Sequence, residues 1–559
     1  MASNSDSELL PNQTMGSGAT RHASRSSLSL STMSLPVVVA TPWFVFVAAL
    51  AVINVVPLWL VEYLPFMDLP QHLATIAVMH HYDDPAFGFS AFFDLDLLST
   101  PYLGYYLLVD LLAHLVPLET ANRLVLSLCG ALLPIAAWRY LAACGREPLI
   151  ALLALPVFYN TFLFMGFLNF AMALPFMLFA LGALLRYLAS RRRIEFVWLT
   201  IHALLIFFAH PQVYLLYLGS ASLYLILSWP GFKRMLLAAS HIGPSLVIFT
   251  LWVLRSRILG SAEVWSESRG GRNVSPAGGQ WEPLGVSLRE LPVRLSDAYR
   301  DNSDNLLLVL LLFLIMVLLL VRRPRPDESG GSGIREFLRT NALELVSMAL
   351  LWLYFALPVS YKWIWPLNAR LVPVAFLVGL VWFRLPPLAL RGRLMLAVPL
   401  AALALAGTAN HTRQFLAFER EVGPLERVLE AAEPRRRLMG LIFDRGSEVM
   451  TPSLSPYIHF AQYYQLRRGG VADFSFANFP QSPIRFNERT APPQLPLRWE
   501  WTPDRLRHPR YPPGVADYYD YYLVRGDWGA RSPFGAHLGA GVREVKAAGR
   551  WRLFERVRD

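Results

Sequence analysis

The sequence predicts an all-α polytopic membrane protein of about 11 to 13 spans, closed by a small C-terminal extracytoplasmic α/β or α+β domain. Three observations carry this. The chain is 54% hydrophobic, 13% aromatic and only 16% charged, where an ordinary soluble protein is about a quarter charged. Apolar runs close to the roughly 20 residues needed to cross hydrocarbon recur from Val37 to Thr408. Beyond Thr408 the composition reverts to polar and aromatic sequence.

Residues 1–35 are Ser-rich with Arg21 and Arg25 and read as a disordered cytoplasmic leader. The first apolar segment, 36–61, is too long and too far from the start to be a cleaved signal, so it is taken as a retained span. Further spans are expected at 101–117, 122–144, 148–164, 166–188, 195–210, 211–229, 235–256, 305–321, 341–361, 366–384 and 394–408. Positive charge marks five cytoplasmic loops, at Arg139 with Arg146, Arg191 to Arg193, Lys233 with Arg234, Arg322 to Arg325, and Arg391 with Arg393. This threading leaves loops 62–100 and 257–304 outside, together with a soluble domain over 409–559. It also holds a conflict. A cytoplasmic leader and a cytoplasmic Arg139 require an even number of crossings between them, and three are counted, of which 101–117 is the shortest and carries Asp110 and His114.

The segment Pro324 to Gly333 reads as a flexible linker, and no internal repeat of the transporter kind is visible. The net charge of +11 sits mostly in short loops at span ends rather than in a basic stripe, so no nucleic-acid partner is expected. Cys129 and Cys144 lie in or beside an apolar segment, and no disulfide partner is expected for either.

Loop 62–100 concentrates the polar chemistry. No lysine or arginine occurs between Arg25 and Arg123, yet the loop carries Glu62, Asp68, His72, His80, His81, Asp83, Asp84, Asp94 and Asp96. From Asp68 to the residue before Pro85 the pattern predicts a helix with Pro70 in its first turn. At about 100° per residue, Leu69, Leu73, Ile76 and Ala77 form an apolar stripe beside a sector holding Asp68, His72, Met79 and Asp83. Such a helix is expected to lie along the membrane surface. Asp68 suits two roles, an N-cap or a functional carboxylate. A carboxylate with an imidazole four residues on can act as a general-base pair or, joined by Asp83, hold a divalent metal.

An apolar first span, an acidic outside loop with a short helix, Thr100-Pro-Tyr-Leu-Gly-Tyr-Tyr, and Asn122-Arg-Leu opening the next span together resemble the GT-C superfamily of membrane glycosyltransferases. That superfamily includes the protein mannosyltransferases and the aminoarabinose transferases. The resemblance implies transfer of a sugar from a polyprenyl-phosphate donor to an acceptor hydroxyl at the outer face, in a plasma or inner membrane. It implies Asp68 as base or metal ligand, with His72 assisting. Many members carry two adjacent acidic residues, whereas Asp68 is followed by Leu69.

Cations are then expected to hold the donor phosphate, and Arg255, Arg257, Arg269, Arg272 and Arg370 are the candidates in outside positions. Met165-Gly-Phe-Leu-Asn-Phe places Asn169 at the outer end of a helix, and Ala209-His-Pro-Gln places His210 and Gln212 at a helix break, where a donor groove is expected. A lipid or polysaccharide transporter and a non-catalytic scaffold are the alternatives. A transporter calls for ionisable residues deep within spans, where Asp110, His114, His202, His241 and Glu344 are the ones available. In the tail, helices are expected at Pro424 to Ala432 and near Pro456 to Leu466. Strands are expected at Leu438 to Phe443, Tyr521 to Val524, Val542 to Lys546 and Trp551 to Val557, with aromatics such as Phe474 and Phe476 able to stack on sugar rings.

Overall fold

The computed structural model describes residues 42–98, 100–255, 279–321, 333–361, 364–479, 481–493, 499–501, 515–526, 534 and 541–557. The leader, the linker up to residue 332 and the arginines Arg257, Arg269 and Arg272 lie outside these residues. The principal helices are α1 (Pro42–Asn54), α2 (Leu69–His80), α3 (Leu103–Ala113), α4 (Leu118–Ala143), α5 (Leu168–Ser190), α6 (Arg193–Ala209), α7 (Pro211–Ser228), α8 (Gly243–Arg255), α9 (Ser303–Leu320), α10 (Ala342–Ala356), α11 (Leu371–Gly379), α12 (Leu390–Val422) and α13 (Gln462–Arg468). Among the described residues six helical segments are long and apolar enough to cross a membrane: Pro42–Trp59, Leu118–Ala143, Leu168–Ser190, Phe232–Arg255, Ser303–Leu320 and Leu390–Leu429. The chain is an integral membrane protein. Helix α9 shows why: with Leu306, Val309, Leu310 and Phe313 exposed, it is stable only where lipid takes the place of water.

The crossing conflict resolves at Arg467. Its Nη2 lies 2.9 Å from Glu62 Oε1 and 2.9 Å from Glu119 Oε1, so the end of the first span and the start of α4 sit at the same end of the bundle. Helix α3 between them has 11 residues, about 16 Å at 1.5 Å per residue, too short to cross and return. It packs beside α2, α4 and α6 instead. The expected span at 101–117 is therefore a helix held at one end, and α1 and α4 make an even pair of crossings. At the other end of α4, Arg146 Nη2 and Arg384 Nη2 reach Glu344 Oε1 at 2.8 and 2.5 Å, and Arg186 Nε reaches Glu195 Oε2 at 2.9 Å. Arg393 Nε also lies 3.5 Å from Glu147 Oε2, so the charge-marked loops at Arg146 and at Arg393 meet at this end.

The expected span at 148–164 is also broken. Asn160 interrupts it, its Oδ1 accepting from the backbone nitrogens of Phe162 and Leu163 and so capping a new turn at Thr161–Phe164. Nearly every side chain of this segment is buried, which makes it the core of the bundle rather than a lipid-facing helix.

Helix α2 departs most from expectation. Ten of its 12 residues are buried, Gln71, His72 and Thr75 among them, so it does not float on a membrane surface. Its polar side is covered by the tail, through α13 and through an antiparallel pairing of β1 (Phe93–Leu95) with the tail segment Ile484–Phe486. The helix ends at His80, with the His81 backbone N–H donating to the Ala77 carbonyl, and Asp83 lies exposed in the turns that follow.

Helix α12 runs unbroken through Thr408 to Val422, so the domain boundary expected after Thr408 falls inside one helix. A short pair, β2 (Gly279–Gln280) and β3 (Ser360–Tyr361), lies within the membrane half. The tail sheet contains β4 (Arg437–Ile442), β5 (Val471–Ala472), β7 (Tyr521–Arg525), β8 (Val542–Ala548) and β9 (Trp551–Arg556), with Ile484–Phe486 as β6 outside it; its order is β5-β4-β7-β9-β8. Strand β4 is parallel to both neighbours, which buries it on two faces and explains its run of apolar residues. The hairpin β8–β9 is antiparallel and turns at Gly549, whose φ of +60° suits glycine.

Candidate functional site

Asp68 occupies the N-cap position of α2 but makes no side-chain capping bond, its backbone already being in the right-handed helical region. The capping role open from sequence is therefore not the one its carboxylate plays. Instead Oδ1 lies 3.3 Å from Nε2 of His459, a residue of the tail. The backbone around Asp68 is clamped. Met67 N donates to the Phe164 carbonyl at 2.8 Å and Asp68 N to the Met165 carbonyl at 3.3 Å. The next residue is Gly166, with φ of +87°, and a Cβ there would lie 2.6 Å from Asp68 N. Only glycine lets the two loops approach this closely.

The tautomer of His459 follows from its neighbours. The Phe476 backbone N–H donates to Gln71 Oε1 at 3.1 Å, which turns the Gln71 amide nitrogen toward the Phe474 carbonyl at 2.5 Å and toward His459 Nδ1 at 3.4 Å. An amide N–H can only donate, so Nδ1 accepts and the proton on Nε2 points at Asp68. The ring is held flat against Phe474, 4.9 Å between centroids at 13°.

His72 lies one turn on from Asp68, with Nδ1 2.8 Å from the Tyr106 hydroxyl and the ring beside the Gly166 turn. Burial pushes its imidazole down to about 4 against the opposing pull of Asp68. The neutral ring orients the Tyr106 hydroxyl through Nδ1. Tyr106, in turn, lies against the Asn169 amide.

Arg370 closes the cluster. Its Nη1 donates to Gln212 Oε1 at 3.2 Å and lies 3.5 Å from His210 Nε2, Nη2 donates to the Trp365 carbonyl at 3.3 Å, and the guanidinium stacks 4.4 Å over Phe167. Gln212 is itself fixed, its Nε2 donating to the Leu367 carbonyl at 2.7 Å. His210 joins α6 to α7 with extended backbone, and Pro211 at the first helical position restarts the helix without wasting a donor. Arg370 stands close enough to feel the charge of Asp68. Two buried polar atoms here have no hydrogen-bond partner in the protein, Asn169 Oδ1 and Arg370 Nε. Unpaired buried polar atoms are costly, and both of these lie in the same cluster.

Asp68, His72, Asn169, His210, Gln212 and Arg370, singled out along separate stretches of sequence, thus surround one region. Arg255 does not join them, being the exposed last residue of α8. Nor does Asp83, because α2 stops three residues before it and the helical projection that aligned it with Asp68 and His72 no longer applies. Among the described residues these three do not form a metal-ligating group, and Asp68 has one imidazole beside it rather than a set of carboxylates. A divalent ion held by Asp68, His72 and Asp83 does not fit. Sequence reasoning missed His459 and Gln71, and it quoted Tyr106 only within a motif.

No family profile and no curated relative matches the sequence. Among solved structures the chain is similar to ArnT from Cupriavidus metallidurans bound to undecaprenyl phosphate, with a TM-score of 0.55 and 13% identity over 92% of this chain and 98% of that one. It is similar to the apo state of the same protein with a TM-score of 0.53 and 14% identity, over 92% and 97% of the two chains. At such identity the likeness speaks to architecture, and it extends through membrane body and tail alike. The chain therefore shares its overall fold with these ArnT structures.

Proposed function

We propose that this protein is a membrane glycosyltransferase that moves a sugar from a polyprenyl-phosphate donor to an acceptor hydroxyl at the outer face of the membrane. The observation that carries the reading is that one cluster holds both Asp68, a carboxylate without a capping bond, and the buried guanidinium of Arg370. A solved protein of this fold holds undecaprenyl phosphate, which supports a donor of that class. A lipid too apolar to leave the bilayer brings its sugar phosphate only to the interface, so base and cation must be presented there by a membrane body.

In this reading Asp68 takes the proton of the acceptor hydroxyl as its oxygen bonds to the anomeric carbon. The bond from that carbon to the phosphate oxygen breaks, and polyprenyl phosphate leaves with the electron pair. Arg370 supplies fixed positive charge where the leaving phosphate gains negative charge. Asn169 Oδ1 offers an acceptor to a sugar hydroxyl. His459 aims the Asp68 carboxylate, and His72 with Tyr106 sets the floor beneath it. No step is assigned to a metal at Asp68.

The test is release of free polyprenyl phosphate by the purified chain in nanodiscs, across a panel of polyprenyl-phosphate sugars and hydroxyl acceptors. Release that needs both donor and acceptor supports the reading. A chain that binds these donors yet turns over none of them counts against it.

A further inference from the structure

At the far end of α2 from Asp68 lies a second cluster that the transfer chemistry does not use. His80 closes α2, Asp110 lies on α3, and His114 is the residue that caps α3. Asp110 and His114 are four residues apart, which on a helix puts them on one face, and that face meets His80. His80 Nδ1 is 2.9 Å from Asp110 Oδ1, and the His80 and His114 rings are 4.6 Å apart. One ligand atom from each residue falls within 4.8 Å of the others. Ligands about 2.0 Å from a tetrahedral zinc are about 3.3 Å apart, so modest side-chain rotations close the set.

We propose that His80, Asp110 and His114 bind one divalent transition-metal ion of the zinc class, clamping α2 to α3. Two imidazoles and a carboxylate match the nitrogen and oxygen ligands such ions prefer, and hard cations such as calcium want more oxygens than the cluster offers. The set has room and access. It opens on a cleft of about 380 Å³ lined by His80, His81, His114 and Pro117, and His114 is exposed, leaving the fourth position to water. The ion sits where a clamp matters. Helix α2 carries Asp68 and His72, α3 carries Tyr106, and His72 and Tyr106 are already joined at 2.8 Å. Fixing the distal ends of both helices fixes that junction. The site is independent of the transfer reading and stands if that reading falls.

The test uses the full chain, tag removed and stripped with a chelator, titrated with Zn²⁺ and with Co²⁺. One ion per chain is expected, with the intense visible absorption of tetrahedral Co²⁺ and a rise in melting temperature on adding Zn²⁺. His114→Gln, at an exposed position, and His80→Gln each weaken binding by at least about tenfold and abolish the melting shift. Asp68→Asn leaves both unchanged. Absence of stoichiometric binding, or His114→Gln and His80→Gln chains that bind as the parent does, overturns the site and leaves the three residues as a hydrogen-bonded surface cluster.

Discussion

His459 Nε2 lies 3.3 Å from Asp68 Oδ1, so a carboxylate on the first loop is aimed by an imidazole supplied from the tail. The contact joins membrane body and tail at the cluster. Gln71 sets the tautomer and Phe474 the ring plane, which together fix where the carboxylate points. A group held in this way loses little entropy on meeting substrate.

His459→Ala is expected to lower kcat by about 100-fold with the donor KM nearly unchanged, as a misplaced reacting group does. His459→Gln, which keeps a donor near Asp68, recovers part of the loss. Steady-state kinetics on both variants check this. Equal losses in the two, accompanied by a fall in melting temperature, would reduce His459 to a packing residue.

Gly166→Ala forces a Cβ to 2.6 Å from Asp68 N at a φ of +87°. Backbone strain alone is expected to cost about 1–3 kcal/mol, and relief of the clash moves Asp68 away from His459. The melting temperature in detergent and the transfer rate should fall together. An alanine variant with parental stability and rate would show that the two loops separate freely.

Arg370→Lys keeps the charge but loses the fork that spans Gln212 and Trp365. The expected result is a rise of about 10- to 100-fold in donor KM, the size of one charge-assisted hydrogen bond, measured by titrating polyprenyl phosphate. Unchanged donor affinity would place the phosphate elsewhere.

His72 is held neutral down to about 4, chiefly by burial, whereas unfolded histidine titrates near 6.5. The unfolded chain therefore binds more protons between these values. The stability that His72 contributes is present above pH 6.5 and is lost as pH falls toward 4, by up to roughly 3 kcal/mol. His72→Gln removes this dependence but also the bond to Tyr106. Its stability deficit against the parent is expected to narrow on acidification from pH 7 to 4.5, followed by thermal unfolding at each pH. A deficit that is constant with pH would contradict a neutral buried imidazole.

Much of this arrangement was legible in the residues. Asp68 and Pro70 announced the start of α2, the Pro211 break exposed His210 and Gln212, and Met165-Gly-Phe-Leu-Asn-Phe located Asn169. These are local signals, in which chain geometry and residue type act within a turn or two. What stayed hidden depends on distant packing. The polar side of α2 looked like a surface because nothing in its own sequence tells that α13 and the tail will cover it. Residues 148–164 look continuous by hydropathy although Asn160 caps a break within them. Asp83 was aligned with Asp68 by extending the helix past His80, where the backbone turns away. His459 carries no local mark, since its meaning comes from a partner several hundred residues earlier.

The most direct measurement is the transfer rate of Asp68→Asn, an isosteric change that removes the proposed base. It should be paired with the affinity of the same variant for polyprenyl phosphate. The expected result is a fall in kcat of about 10³-fold with donor affinity within a few-fold of the parent. An asparagine variant that turns over at the parental rate would contradict the assignment of Asp68 as the group that accepts the acceptor's proton.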